Sequence, residues 1–161
     1  MTNLEFCVAR RKAECPTFVR VLKALPSTRL DYRPEPRSRT AAELAWLIAA
    51  EEAALVILLD TGVVSWKEDE PPANLDQIVA TYEKSAAAVD AAIGRVGEAG
   101  WEKKGKFVIG DAPAWEDTLG QFAWGFLFDQ IHHRGQLATY LRPMGGKVPS
   151  IYGPSADDPG Q

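Results

Sequence analysis

Four stretches of this chain repeat apolar residues every three or four positions, and that period commits it to long helices packed side by side. The first runs from about Leu4 to Leu25 and carries Leu4, Val8, Cys15, Phe18, Leu22 and Leu25, with Arg11 interrupting the stripe. Pro16 falls inside it, so a kink or a break is expected there. The second opens at Thr40, which forms a capping-box pair with Glu43 ahead of Leu44, Leu47, Ile48, Leu55 and Leu58, and Gly62 suits its stop. The third keeps its spacing from Leu75 to Val96 over about six turns. The fourth runs from Thr118 to Pro143 and is apolar around much of its circumference. A helix of that kind is central to its fold or part of a subunit contact. Between the third and fourth, "GEAGWEKKGKFVIGDAPAW" is irregular, with a short extended piece at Lys106–Ile109, and the tail after Gly146 reads as coil.

The expected fold is therefore all-α, a four-helix bundle, and the long links after the first and third helices permit crossover connections. A length of 161 residues fits a single domain spanning 1–161. The formal charge of −4 argues against a broad phosphate-binding face, so no nucleic-acid partner is expected. No apolar run reaches membrane-spanning length, and MTNLEFCVARRK lacks the basic start and apolar stretch of a signal peptide. Cys7 and Cys15 are separated by just over two helical turns, about 12 Å, too far for a mutual disulfide. Both read as reduced thiols packed near a core, and the expected compartment is the cytoplasm.

Chemistry enters where polar residues fall on these apolar stripes. Phe122, Phe126, Asp129, His133, Leu137 and Tyr140 are spaced by threes and fours, which puts Asp129 and His133 one turn apart on the interior side. His132 lies about 100° away around the axis and does not join them easily. Glu51 sits between Ile48 and Leu55 on the stripe of the second helix, where an uncompensated carboxylate costs several kcal/mol. Arg11 intrudes on the first stripe in the same way. Two readings fit the spacing. These groups converge on a polar or metal-binding pocket, or they form an Asp129–His133 local pair and an ordinary Arg11–Glu51 salt bridge. Trp46, Trp66, Trp115 and Trp124 are candidates to line a pocket, although aromatics at helical spacing more often fill a core.

The string "IHHRGQLATYLRPMGGKVPSIYGPSADD" closely resembles the C-terminal signature of the DinB-like family, and "YRPEPRSRTAAELAWLIAAEE" resembles that family's second-helix segment. The resemblance implies a DinB-like four-helix bundle with crossover topology, related to the N-terminal domain of mycothiol-dependent maleylpyruvate isomerase. It also implies homodimers, a divalent metal (typically zinc or nickel) on three histidines, and thiol-dependent chemistry in some relatives. Carried over residue by residue, the three histidine positions are Leu47, Asp129 and His133 in this chain. Leu47 binds no metal, whereas Asp129 can. Glu51, one turn after Leu47, offers a replacement, and Glu51, Asp129 and His133 together would suit iron, manganese or zinc better than nickel. With the ligand set altered, the ion is expected to be weakly held or absent. Arg134, Gly135 and Gln136 read as structural: Arg134 as an anchor for a carboxylate or carbonyl, Gly135 as a site of close helix approach. The expected function is a metal-dependent, thiol transferase-type enzyme on an unknown small molecule. The alternative is a metal-free small-molecule-binding or scaffold homodimer.

Overall fold

The computed structural model describes residues 1–160. Its four helices are α1 (Asn3–Lys23), α2 (Ala41–Thr61), α3 (Leu75–Trp101) and α4 (Leu119–Leu141). Each begins where a side-chain oxygen accepts a bond from an otherwise unpaired N–H. Thr2 with Glu5 and Thr40 with Glu43 form reciprocal capping boxes, Asn74 caps α3, and Thr118 accepts from the Gln121 amide. Gly62 ends α2 in the left-handed conformation, at φ 77°. Helical geometry in α3 is interrupted at Gly97, φ 58°, just past the predicted end of the apolar stripe at Val96.

The all-α expectation needs correction. Three strands, β1 (Val63–Trp66), β2 (Lys104–Ile109) and β3 (Trp115–Thr118), form a small sheet in the order β1-β2-β3. β1 pairs parallel to β2, and β2 pairs antiparallel to β3. These strands are too short for their two-residue period to stand out from a glycine-rich stretch, and only Lys106–Ile109 reads as extended from sequence. Of the kink or break expected at Pro16, the break is absent: α1 is one helix with Pro16 inside it. Proline there removes one backbone bond and costs about 3 kcal/mol, which the fully buried Phe18, Val21 and Leu22 on the following turns offset.

α1 packs on α3 and α4, and α2 packs on the same two helices, while direct α1–α2 and α3–α4 contact is slight. The buried face of α1 is Cys7, Arg11, Glu14, Thr17, Phe18, Val21 and Leu22, so Leu4 and Val8 lie at its edge. Arg11 is fully buried and forks onto Glu52, at 3.1 Å to Oε1 and 2.8 Å to Oε2, with Nε 3.1 Å from Asp90. The Arg11–Glu51 bridge, one of the two readings of the sequence, is therefore replaced by Arg11–Glu52. Adjacent helical residues point about 100° apart, and it is Glu52 that faces α1. Arg134 is the anchor its sequence context suggested: it donates to Glu14 at 2.7 Å, to Thr17, and to Tyr152 of the tail at 2.6 Å. Its guanidinium also lies over the Phe18 ring. The tail is coil, held by Asp157, which accepts from Val148 and Arg142, and by Asp158, which accepts from Ser150. Both cysteines are free, and burial pushes the Cys7 thiol up to about 11. Among the described residues no helix is long and apolar enough to cross a membrane.

Gly135 is not a close-approach site, because a Cβ there would meet nothing within 4 Å. That role belongs to Gly120, where a Cβ would fall 2.4 Å from Trp101 Nε1. Gly120→Ala is expected to cost about 1–3 kcal/mol through overpacking, whereas Gly135→Ala is expected to stabilise by up to about 1 kcal/mol through helix propensity. Urea denaturation of the two variants checks both signs.

Candidate metal centre

α2, α4 and the sheet enclose a cleft of about 690 Å³. Each wall follows from a local period. On α4 the lining positions Phe122, Gly125, Phe126, Asp129, His132 and His133 recur by threes and fours, one face of the helix. On α2, Leu47 and Glu51 are one turn apart. In the sheet, Phe107 and Ile109 point the same way along β2, and their register partners Trp115 and Trp66 share that face.

At the floor of this cleft the structure brings Glu51, Asp129 and His133 together. One ligand atom from each lies within 4.8 Å of the others. His133 Nε2 is 3.5 Å from Asp129 Oδ2 and 3.7 Å from Glu51 Oε1. Neighbouring ligands on a zinc-like ion with bonds of about 2.0–2.2 Å stand roughly 3–3.5 Å apart, so His133 already stands near ligand spacing from each carboxylate. The three differ in exposure: Glu51 is buried, His133 is 15% exposed in its side chain, and Asp129 is 58% exposed. His132 lines the cleft but lies outside the cluster.

Electrostatics separates Glu51 from its neighbour. Glu52 meets the Arg11 fork, whereas Glu51 Oε2 is buried with no hydrogen-bond partner. Burial, with Asp129 adding to it, pushes the Glu51 carboxyl up to about 9. A buried oxygen without a partner beside two further ligand types fits a bound cation. His133 is ready for the same role. Its Nδ1 lies 3.0 Å from Gln136 Oε1, which suits an Nδ1–H donating to that oxygen, and its Nε2 faces the two carboxylates. Gln136 therefore orients His133, a role its place in the HHRGQ string does not reveal by composition; its i+3 spacing from His133 was the available signal. Arg11, Glu52 and Arg134 stand apart from the cluster in ion pairs of their own. Of the four candidate tryptophans, Trp66 and Trp115 line the cleft. Trp124 stacks between Phe6 and Phe128 and donates to Asn3.

The sign of the pH effect follows from Glu51. Its carboxyl rises from 4.5 to about 9 on folding, so the metal-free folded chain holds a proton that the unfolded chain releases between those values. Stability in chelator is expected to fall as pH is raised from about 5 to about 8. Glu51→Gln should flatten that slope and melt roughly 2–4 °C higher at about pH 8, equivalent to about 1 kcal/mol, in thermal scans.

Comparison with known proteins agrees with the fold. A DinB-like protein from Bacillus cereus superposes with a TM-score of 0.75 at 24% identity, covering 92% of this chain and 97% of the other. A DinB-like protein from Bacillus subtilis gives 0.66 at 17% identity, covering 86% and 91%. Mycothiol-dependent maleylpyruvate isomerase gives 0.57 at 14% identity, with 89% of this chain matched to 61% of that one. No curated protein matches the sequence. The DinB family model matches residues 9–160, and this chain belongs to the DinB family.

Proposed function

We propose that this chain is a divalent-metal protein acting on a small molecule held in the α2–α4–sheet cleft, with Glu51, Asp129 and His133 as the ligands. The observation that carries this reading is the buried, unpartnered Glu51 oxygen beside an imidazole already oriented by Gln136. Two carboxylates and one imidazole form a hard donor set that suits manganese, iron or zinc ahead of nickel. Leu47 and Asp129 occupy positions where the family resemblance places histidine, so the site is an altered form of the family's. A bound ion supplies Lewis acidity toward a polar headgroup. The chain's own contributions are separate from that: Leu47 keeps one side of the floor dry, Gln136 fixes the His133 ring, and the exposed Asp129 carboxylate faces incoming solute. The likeness to a mycothiol-dependent isomerase supports thiol-linked transfer or isomerisation as the reaction type. The pattern of helix neighbours supports crossover connections after α1 and α3. Two free cysteines support a reducing, cytoplasmic setting.

A second reading is a metal-free homodimer that binds or scaffolds. The observation favouring it is the aromatic stack Phe6–Trp124–Phe128, whose outer members are 49% and 61% exposed.

Metal analysis and thermal scans separate the two. With manganese at a hundredfold excess over Kd, the melting temperature is expected to rise by roughly 5–10 °C, from about 2.7 kcal/mol of linkage. Asp129→Ala and His133→Ala should abolish the rise, and Gln136→Ala should weaken binding by about tenfold or more. Leu47→His should add an imidazole beside Glu51 and shift preference toward zinc and nickel. A melting temperature indifferent to manganese, iron, zinc and chelator favours the metal-free reading.

A further inference from the structure

The ligand class is written in the walls of the cleft. The sheet presents Trp66, Phe107, Ile109 and Trp115 on one face, and α4 lines the same cleft with Phe122, Phe126 and Phe128, Phe122 in edge-on contact with Trp115 at 5.4 Å. The rings are already arranged as a stacking surface. Trp66 lies nearly parallel to Phe107 at 6.3 Å, and Phe126 meets Phe107 edge-on at 5.7 Å. At the rim, Ile109, Trp115 and Phe128 are 55%, 61% and 61% exposed. Large apolar side chains left in water around a concavity are unsatisfied until something apolar enters. The polar lining, by contrast, is few residues: Glu51, Asp129 and His133 cluster together, His132 adjoins them in sequence, and Arg39 is paired to Glu68. The buried Glu51 oxygen without a partner belongs to that cluster. A small polar solute would meet the floor and leave the walls wet, and a wholly apolar one would leave the floor unpaired. The volume of about 690 Å³ accommodates a two-ring molecule.

We infer that the cleft takes a flat aromatic molecule bearing one small polar headgroup, its rings against the aromatic lining shared by the sheet and α4 and its headgroup at Glu51, Asp129 and His133. Only the headgroup half rests on the proposed metal centre. The aromatic half rests on the walls alone.

Calorimetry on the full chain, with and without added manganese, tests the two halves separately. The probes are 2-naphthol, 2-naphthoate and acetate. 2-Naphthol is expected to bind the chelator-treated protein. Trp115→Ala and Phe128→Ala, both at positions 61% exposed, should each weaken it about tenfold with the circular dichroism spectrum retained, while Ile57→Ala outside the cleft leaves it unchanged. Manganese should tighten 2-naphthoate, and His133→Ala should remove that gain. Acetate should bind at least a hundredfold more weakly than 2-naphthoate. If 2-naphthol binds but manganese adds nothing to 2-naphthoate, the aromatic slot stands and the metal reading falls. If manganese binds but 2-naphthol does not, the metal reading stands and this inference is overturned. It is also overturned if Trp115→Ala and Phe128→Ala convert a dimer to a monomer without changing 2-naphthol affinity, since a second copy would then be what covers the rim.

Discussion

Two buried arginines hold the four helices in register. Arg11 reaches from α1 to Glu52 on α2 and Asp90 on α3. Arg134 reaches from α4 back to Glu14 and Thr17 on α1, and it takes in Tyr152 from the tail. A charge withdrawn from water is tolerated only when its partner and its hydrogen bonds are in place. The geometry of each fork therefore restricts how the helices can turn relative to one another, which apolar packing alone leaves loose. Arg11 spans the bundle between helices that otherwise barely touch, so the α1–α2 diagonal is set by an ion pair. Everything in the cleft inherits that setting, because rotating α2 enough to release Glu52 would also turn Glu51 away from α4.

This explains what was legible in the sequence and what was not. Asp129 and His133 share a face because both lie on one regular helix, and Glu51 meets them because it shares a stripe with Leu47 and Ile48. Such relations need only the helical period. The partner of Arg11 needed more. Glu51 and Glu52 differ by one residue, and which of them faces α1 depends on the rotation of α2 in the assembled bundle. Gly135 and Gly120 both sit in α4 and look alike in sequence, but only Gly120 lies against Trp101. The sheet was the largest omission. β1 reaches β2 across the whole of α3, and the short β2–β3 pair carries only four or six residues of alternation inside a glycine-rich stretch, which is little signal.

That sheet completes the site. β1 follows α2 directly through Gly62, and β3 leads directly into α4 at Thr118. The two helices that supply the polar floor are therefore continuous with the strands that supply the apolar wall. β2 sits between them, bringing Phe107 and Ile109 into the same face. Gly105 lets β2 lie close to α2 and α4, since a Cβ there would fall 2.8 Å from Leu119 and 3.2 Å from Leu58. A bundle with loops in place of these strands would keep Glu51, Asp129 and His133 but leave them on an open helix face.

Leu47 then matters for what it does to the charge at the floor. An imidazole at this position would be a neutral ligand and a hydrogen-bond donor for Glu51. Leucine is neither. Its apolar side chain lines the cleft beside Glu51. Beside Leu47 and Asp129, the buried Glu51 carboxylate is stabilised by a proton, by positive charge on His133 or Arg39, or by a bound cation. The proton leaves one oxygen without a partner. A cation between Glu51, Asp129 and His133 engages both carboxylates and the free imidazole nitrogen at once, and two anionic oxygens favour a hard ion over the softer ones that a three-nitrogen set selects. In the proposed metal centre, Leu47 therefore leaves the two carboxylates and one imidazole as the donor set.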